Sequence, residues 1–243
     1  MPISLDDPKK LRQVRDQAHQ VAMNMLRPIS RTYDRAEHEY PKELDLLAAM
    51  IDGISESGAS SGAGASGVKR EDANDEGSGV KNGTNLASVL GIAEMCWGDV
   101  GLLLSLPRQG LGNSAIASVG DADQQERFGR WWASMAITEP DTGSDSASIR
   151  TTAVLDGDEY VLNGEKIFVT SGDRPDAVVV WATLDKDLGR AAIKSFVVPK
   201  GTPGMTVERL EHKLGIKASD TATIRFEDCR VPVENLLGSP EVT

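Results

Sequence analysis

The sequence predicts an α+β protein, an N-terminal helical bundle domain followed by a small antiparallel β-barrel domain. Three observations carry this reading. Apolar residues recur every three or four positions in the first half, they alternate every second position after residue 131, and helices and strands fill separate blocks rather than the repeating order of a parallel sheet. The domains are expected at 1–130 and 131–243.

From Asp7 to His38 the stripe Leu11, Val14, Ala18, Val21, Met25 and Ile29 marks an amphipathic helix, with Pro28 as a kink or break. A second helix starts at Pro41 and carries Leu44, Leu46, Leu47 and Met50, and a third runs from Leu86 to Leu106, ended by Pro107. Between these two lies a Gly/Ser-rich segment at about 55–85, too poor in apolar residues to offset its ordering entropy, read as a mobile loop within one bundle. Its acidic run "REDANDEG" reads as a solvated face. In the second half, Asp156-Gly157 and Asn163-Gly164 are two hairpin signals between β-rich runs. Strands are expected at "AVVVWATL", "IKSFVVP", "MTVERL" and "TATIRFEDCRVP".

Composition narrows the function. A net charge of −11 argues against binding a phosphate backbone, so nucleic acid is an unexpected partner. Cys96 and Cys229 stand in no metal-type spacing with His19, His38 or His212, which predicts a reduced, metal-free, cytoplasmic chain. No apolar stretch approaches the roughly 20 residues of a membrane span, and the N-terminus is charged. Neither a G-x-G-x-x-G between strand and helix nor a phosphate loop ending in Lys-Ser or Lys-Thr is present, so a nucleotide would need another device.

That device is sought at "ITEPDTGSD". The chain leaves a strand, Pro140 stops the ladder, and Gly143 permits a backbone that aims successive N–H groups outward, with the Thr138 and Ser144 hydroxyls beside them. Such a turn suits an anionic or imide-bearing ligand, a flavin nucleotide among them. From spacing alone, a polar strand-to-strand turn satisfied by its own Asp and Ser side chains is the favoured reading.

"MAITEPDTGSD", then "DEYVLNGEKIFVTSG", then "LGIKASDTATIRFEDCRVPVENLLG" resemble the acyl-CoA dehydrogenase family, with three motifs in the family's order. The likeness is specific over 131–238 and looser over 1–130. It implies FAD as cofactor and the oxidation of an acyl-CoA thioester, fatty or sterol side-chain, to the 2,3-enoyl-CoA, as in fatty acid β-oxidation. It also implies an electron-transfer flavoprotein or similar acceptor as partner, and a homo- or hetero-oligomer. Residue by residue, Met135 to Ser144 would line the flavin. Ile137 and Thr138 would meet the pyrimidine edge, and Gly143 and Ser144 the phosphate side or the acyl-CoA. Phe168, Val169 and Thr170 would cover the other part of the ring, with Thr170 near N5. Donors at the pyrimidine edge stabilise the negative charge of the reduced ring.

The resemblance places the catalytic carboxylate in a C-terminal helical domain that this sequence stops short of, so no catalytic residue is assigned within it. Glu139 is read as a satisfied surface carboxylate rather than the base. The family's flavin oxygenases and oxidases, or a catalytically silent partner subunit, are the alternative readings.

Overall fold

The structure, a computed structural model, describes residues 11–56, 83–107 and 111–241. The expected loop at 55–85 thus lies outside the described residues, apart from its helical ends. The chain divides into two compact units, Met1–Leu106 with Gly215–Ala218, and Pro107–Leu214 with Ser219–Thr243.

In the first unit, α1 (Arg12–Val21) passes through one π-helical turn, Ala22–Leu26, into α2 (Arg27–Ala36). Pro28 sits in the first turn of α2, and the wider π turn before it, in which the Arg27 N–H reaches back to the Ala22 carbonyl, makes room for the ring. The expected break is therefore a widened turn in a continuous path. Helix α3 (Glu43–Glu56) and α4 (Gly83–Leu104) follow. Their apolar stripes meet in a core of Leu26, Tyr33, Leu44, Leu47, Met95 and Leu102.

Glycine sets the closest approach in this unit. A Cβ at Gly98 would stand 2.9 Å from the Ala22 Cβ, so α4 lies against the π turn at a distance only glycine allows. One residue later Asp99 leaves the helical region at φ −171° and ψ 121°, and its Oδ1 accepts the Leu102 N–H at 2.9 Å. Asp99 thereby caps a restarted helix, with Ser30 Oγ donating to its other oxygen. One correction to the sequence reading falls here. The 19 residues Leu86–Leu104, with a mean hydropathy of 1.5, are long and apolar enough to cross a membrane by length and composition, but Asp99 interrupts that stretch.

The second unit begins with two short helices that periodicity alone did not separate, α5 (Leu111–Val119) and α6 (Ala122–Phe128). Asp121 and Gln124 form a reciprocal capping box at the start of α6. Gln124 Nε2 also donates to the carbonyls of Glu234 (2.9 Å) and Leu236 (2.6 Å), and a Cβ on Gly112 of α5 would fall 2.3 Å from the Ser134 carbonyl. These ties put both helices with the strands, so the division between units falls at Leu106/Pro107, ahead of the change in periodicity at 130.

The strands are β1 (Ala133–Ala136), β2 (Thr152–Asp156), β3 (Glu159–Val169), β4 (Ala177–Thr183), β5 (Ile193–Pro199), β6 (Met205–Leu210), β7 (Ala222–Pro232) and β8 (Leu236–Leu237). Their order is β6-β7-β3-β2-β4-β5-β8, with β1 paired to β4. Antiparallel pairs dominate, and the expected α+β class holds. The pairs of β4 with β1 and with β2 are parallel. Gly157, at φ +67°, makes the β2–β3 turn that its sequence signals. The second signal, Asn163-Gly164, makes no turn: β3 continues through it with a register shift against β7. The Asn163 side chain is bound on both sides to Asp228, and a Cβ on Gly164 would strike the Thr151 Oγ1 at 2.4 Å, so the pair serves as a bulge. The inward-facing residues Tyr160, Leu162, Val169, Val180, Phe196, Ile224 and Phe226 fill one core between the strands.

Candidate functional site

Strand β1 ends at Ala136, and the chain then runs Ile137-Thr138 before turning at Glu139. The Glu139 N–H donates to the Thr142 carbonyl at 2.9 Å and the Thr142 N–H returns the bond at 3.2 Å, which closes a tight loop around Pro140 and Asp141. Beyond it Gly143 and Ser144 are exposed, and the Thr138 methyl lies 3.8 Å from where a Gly143 Cβ would be. Met135, Ile137 and Thr138 are each half-buried.

Strand β3 supplies the other half. The Ile167 N–H donates to the Thr138 carbonyl at 2.9 Å, which seats the β1 extension directly against the end of β3. Segments about thirty residues apart in sequence are thus joined by backbone. Between Lys166 and Val169 the register with β7 slips, and in this bulge Phe168 takes a left-handed conformation, φ +57°, with its side chain 61% exposed. A large aromatic in that region costs about 1–2 kcal/mol, and exposure returns nothing for it in the free chain. Strain of this kind collects at ligand sites. Val169, in contrast, turns its side chain into the core at 1% exposure, so only its backbone is available to a ligand. Thr170 is half-buried at the rim.

The next turn is held from behind by Asp220, itself 1% exposed. Its Oδ2 accepts the N–H groups of Asp173 and Arg174 at 3.1 Å each, the Arg174 Nη1 stands 3.4 Å from Oδ1, and the Gly172 N–H donates to the Asp220 carbonyl at 3.0 Å. Burial pushes the Asp220 carboxyl up, opposed by the Arg174 charge and the backbone donors.

Glu139 corrects the sequence reading. It is 5% exposed rather than a surface group. Its Oε1 accepts from Lys166 Nζ (2.8 Å), the Thr151 N–H (2.9 Å) and the Thr151 Oγ1 hydroxyl (2.6 Å), while Oε2 accepts the Arg150 N–H at 2.6 Å. Burial alone would raise this carboxyl, but the bonds from Lys166, Thr151 and Arg150 outweigh it and hold it below the usual carboxylate range. A carboxylate so engaged cannot double as a proton acceptor. Lys166 has no exposed surface and also donates to the Ile137 carbonyl at 3.0 Å. Burial draws its ammonium down from ordinary lysine, against the pull of Glu139. Lys166 escaped the sequence reading, although the signal was present. It shares the core-facing parity of Tyr160, Leu162 and Gly164 on β3, where a lysine is out of place unless it is paired.

The donors that the Thr138–Ser144 and Phe168–Thr170 segments present are therefore neutral groups. Hydroxyls and backbone N–H groups stand beside one aromatic. The nearby carboxylates of Asp141 and Asp145 are engaged by Arg150 (2.8 Å) and Ser148 (2.5 Å). That donor set suits an electron-poor ring carrying acceptors along one edge, so it fits a flavin.

Residues 134–229 match the family described as acyl-CoA dehydrogenase, middle domain. The acryloyl-CoA reductase (NADH) of Anaerotignum propionicum is 34% identical over 235 residues, 91% of this chain and 54% of that protein. The short-chain specific acyl-CoA dehydrogenase of Clostridium acetobutylicum is 37% identical over 168 residues, 66% of this chain and 44% of the relative. The butyryl-CoA dehydrogenase structure from Megasphaera elsdenii superposes with a TM-score of 0.77 at 28% identity, covering 98% of this chain and 60% of the other. The chain thus spans about half the length of the curated relatives it matches. With three motifs, the fold and the domain match in agreement, residues 134–229 belong to the acyl-CoA dehydrogenase middle-domain family, and the chain as a whole is similar to acyl-CoA dehydrogenases.

Proposed function

We propose that this chain supplies one wall of an FAD site in a flavin-dependent acyl-CoA dehydrogenase that interconverts an acyl-CoA thioester and its 2,3-enoyl-CoA. The observation that carries the reading is Phe168, exposed and left-handed in a bulge joined by a backbone hydrogen bond to the Ile137–Thr138 segment. Bound FAD would supply the acceptor for the hydride equivalent leaving the substrate's β-carbon, with a partner of the electron-transfer flavoprotein type as the onward acceptor.

The residues of this chain bind, orient and shield. Thr138 and Thr170 present hydroxyls and N–H groups to the ring edge. Phe168 lays an apolar face over it, which excludes water and sharpens those hydrogen bonds. Ser144 and Gly143 sit where a phosphate or the CoA thioester can be met by an exposed hydroxyl and by backbone unhindered by a side chain. The α-proton goes to a carboxylate. Glu139 is spoken for by Lys166 and Thr151, so the base is expected from the C-terminal helical domain that the family resemblance implies.

FAD titrated into the chain, followed by quenching of flavin fluorescence, tests the reading. The expected result is saturable binding weakened about fivefold to tenfold by Thr138→Val and by Thr170→Val, the worth of one neutral hydrogen bond each. Binding that ignores both substitutions overturns the assignment.

A further inference from the structure

Lys166 and Glu139 form a buried ion pair, with side-chain exposures of 0% and 5%. Such a pair is an expensive way to stabilise a fold, because desolvation offsets most of the attraction and apolar residues of similar volume serve as well. The Lys166 ammonium, however, also reaches one backbone atom outside the pair, the Ile137 carbonyl at 3.0 Å. That carbonyl belongs to the same peptide unit as the Thr138 N–H. Across a trans peptide the two groups point in opposite directions, so a cation fixed on the oxygen sets the plane, turns the N–H away from the buried ammonium and polarises it into a stronger donor. The Ile167 N–H clamps the following carbonyl, that of Thr138, at 2.9 Å.

We propose that Lys166 is a positioning residue which orients and polarises the Ile137–Thr138 peptide as a hydrogen-bond donor to the flavin, with Glu139 as the counter-ion that keeps the ammonium charged in the core. Glu139 is in turn anchored to the start of β2 through the Thr151 and Arg150 N–H groups, so the peptide is braced by two strands at once. This inference rests on the flavin reading above.

The test is the double variant Lys166→Met/Glu139→Gln. Lys166→Met alone strands a buried carboxylate and is expected to unfold the unit. In the double variant no charge is left in the core: the glutamine oxygen still accepts the Thr151 N–H, its NH2 replaces the oxygen that had accepted the part-buried Arg150 N–H, and methionine fills the volume of the lysine stem. Two measurements are made on the folded double variant. Exchange of the Ile167 amide is expected to rise about tenfold relative to the Val179 and Val197 amides of β4 and β5, as the Thr138 carbonyl loses its fixed place. FAD affinity is expected to fall about tenfold, the worth of one charge-assisted hydrogen bond.

Unchanged Ile167 exchange, or protection lost evenly across all three amides, overturns the positioning role and leaves the pair a purely structural device. Unchanged FAD affinity with faster Ile167 exchange also overturns it, because the peptide would move without consequence for the ligand. If the wild-type chain itself fails to quench FAD, the flavin reading falls separately, and the exchange ratio alone decides whether Lys166 holds the peptide.

Discussion

Phe168 holds a backbone position that a glycine would occupy without strain, and it does so with most of its ring in water. Phe168→Gly is therefore expected to raise the stability of the ligand-free chain, by about 1 kcal/mol, as the left-handed cost disappears. The same change is expected to weaken FAD binding, because the shielding aromatic face goes with it. Urea unfolding and FAD titration of the one variant check both signs, and a variant that loses stability would show that the ring is held by the fold rather than by function. Cys229 gives a second residue-scale prediction. Burial pushes its thiol up to about 11, so iodoacetamide at pH 8 is expected to leave it unlabelled in the native chain and to reach it only after denaturation. At this scale Thr138, Gly143, Ser144 and Phe168 were legible as candidates because they lie in short motifs whose chemistry is local. The sequence hid Lys166 and misjudged Glu139 for one reason. Each looks like a solvated charge within its own motif, and only pairing between residues 27 positions apart makes both buried.

At the scale of elements, every strand from β4 to β7 begins and ends within a residue or two of its β-rich run, although the runs differ: β4 and the middle of β5 are buried on both faces and read as continuous apolar stretches, whereas alternation shows along β6 and the second half of β7. Helices α5 and α6 were less legible, being nine and seven residues long, too short for a periodic stripe to stand out. What holds them is long-range: Gly112 against the Ser134 carbonyl, and Gln124 against the carbonyls of Glu234 and Leu236. Gly112→Ala is accordingly expected to cost about 2 kcal/mol, since its Cβ would meet a backbone oxygen at 2.3 Å and either α5 or β1 must shift. Chemical denaturation would register this as a lower midpoint with an unchanged slope. Gly91→Ala, where nothing stands within 4 Å, is the control, expected to be neutral or slightly stabilising. Equal effects at the two positions would mean that the α5–β1 approach is looser than the structure has it. The Asn163-Gly164 pair carries the complementary lesson. A dipeptide signals special backbone geometry reliably, but whether that geometry becomes a turn or a bulge is settled by Asp228, 65 residues away.

Across the whole molecule, two units with separate cores carry separate titrating groups, and their responses to alkali differ in a way that can be read out. In the first unit Tyr33 is buried and donates to Glu43 Oε2 at 2.7 Å; desolvation first, and that carboxylate second, push its phenol from 10.0 up to about 12. In the second unit desolvation raises Cys229 from 9.0 to about 11. Both folded values lie above the unfolded ones, so both groups contribute stability that is complete below the unfolded pKa and disappears as pH rises through the folded one. For Cys229 the loss spans pH 9 to 11, and for Tyr33 it spans pH 10 to 12, so the sheet unit is expected to weaken first. The measurement is the urea midpoint from about pH 8 to 11.5 for the wild type, Tyr33→Phe and Cys229→Ala. Each variant starts lower than the wild type, having lost a hydrogen bond or some packing, but falls less steeply across its own window, so the gap to the wild type narrows from pH 9 for Cys229→Ala and from pH 10 for Tyr33→Phe. Ionisation of surface groups is common to all three chains and cancels in those differences. Curves that stay parallel over the whole range would mean that neither group is as sequestered as its burial implies, and that the two cores admit water well before they unfold.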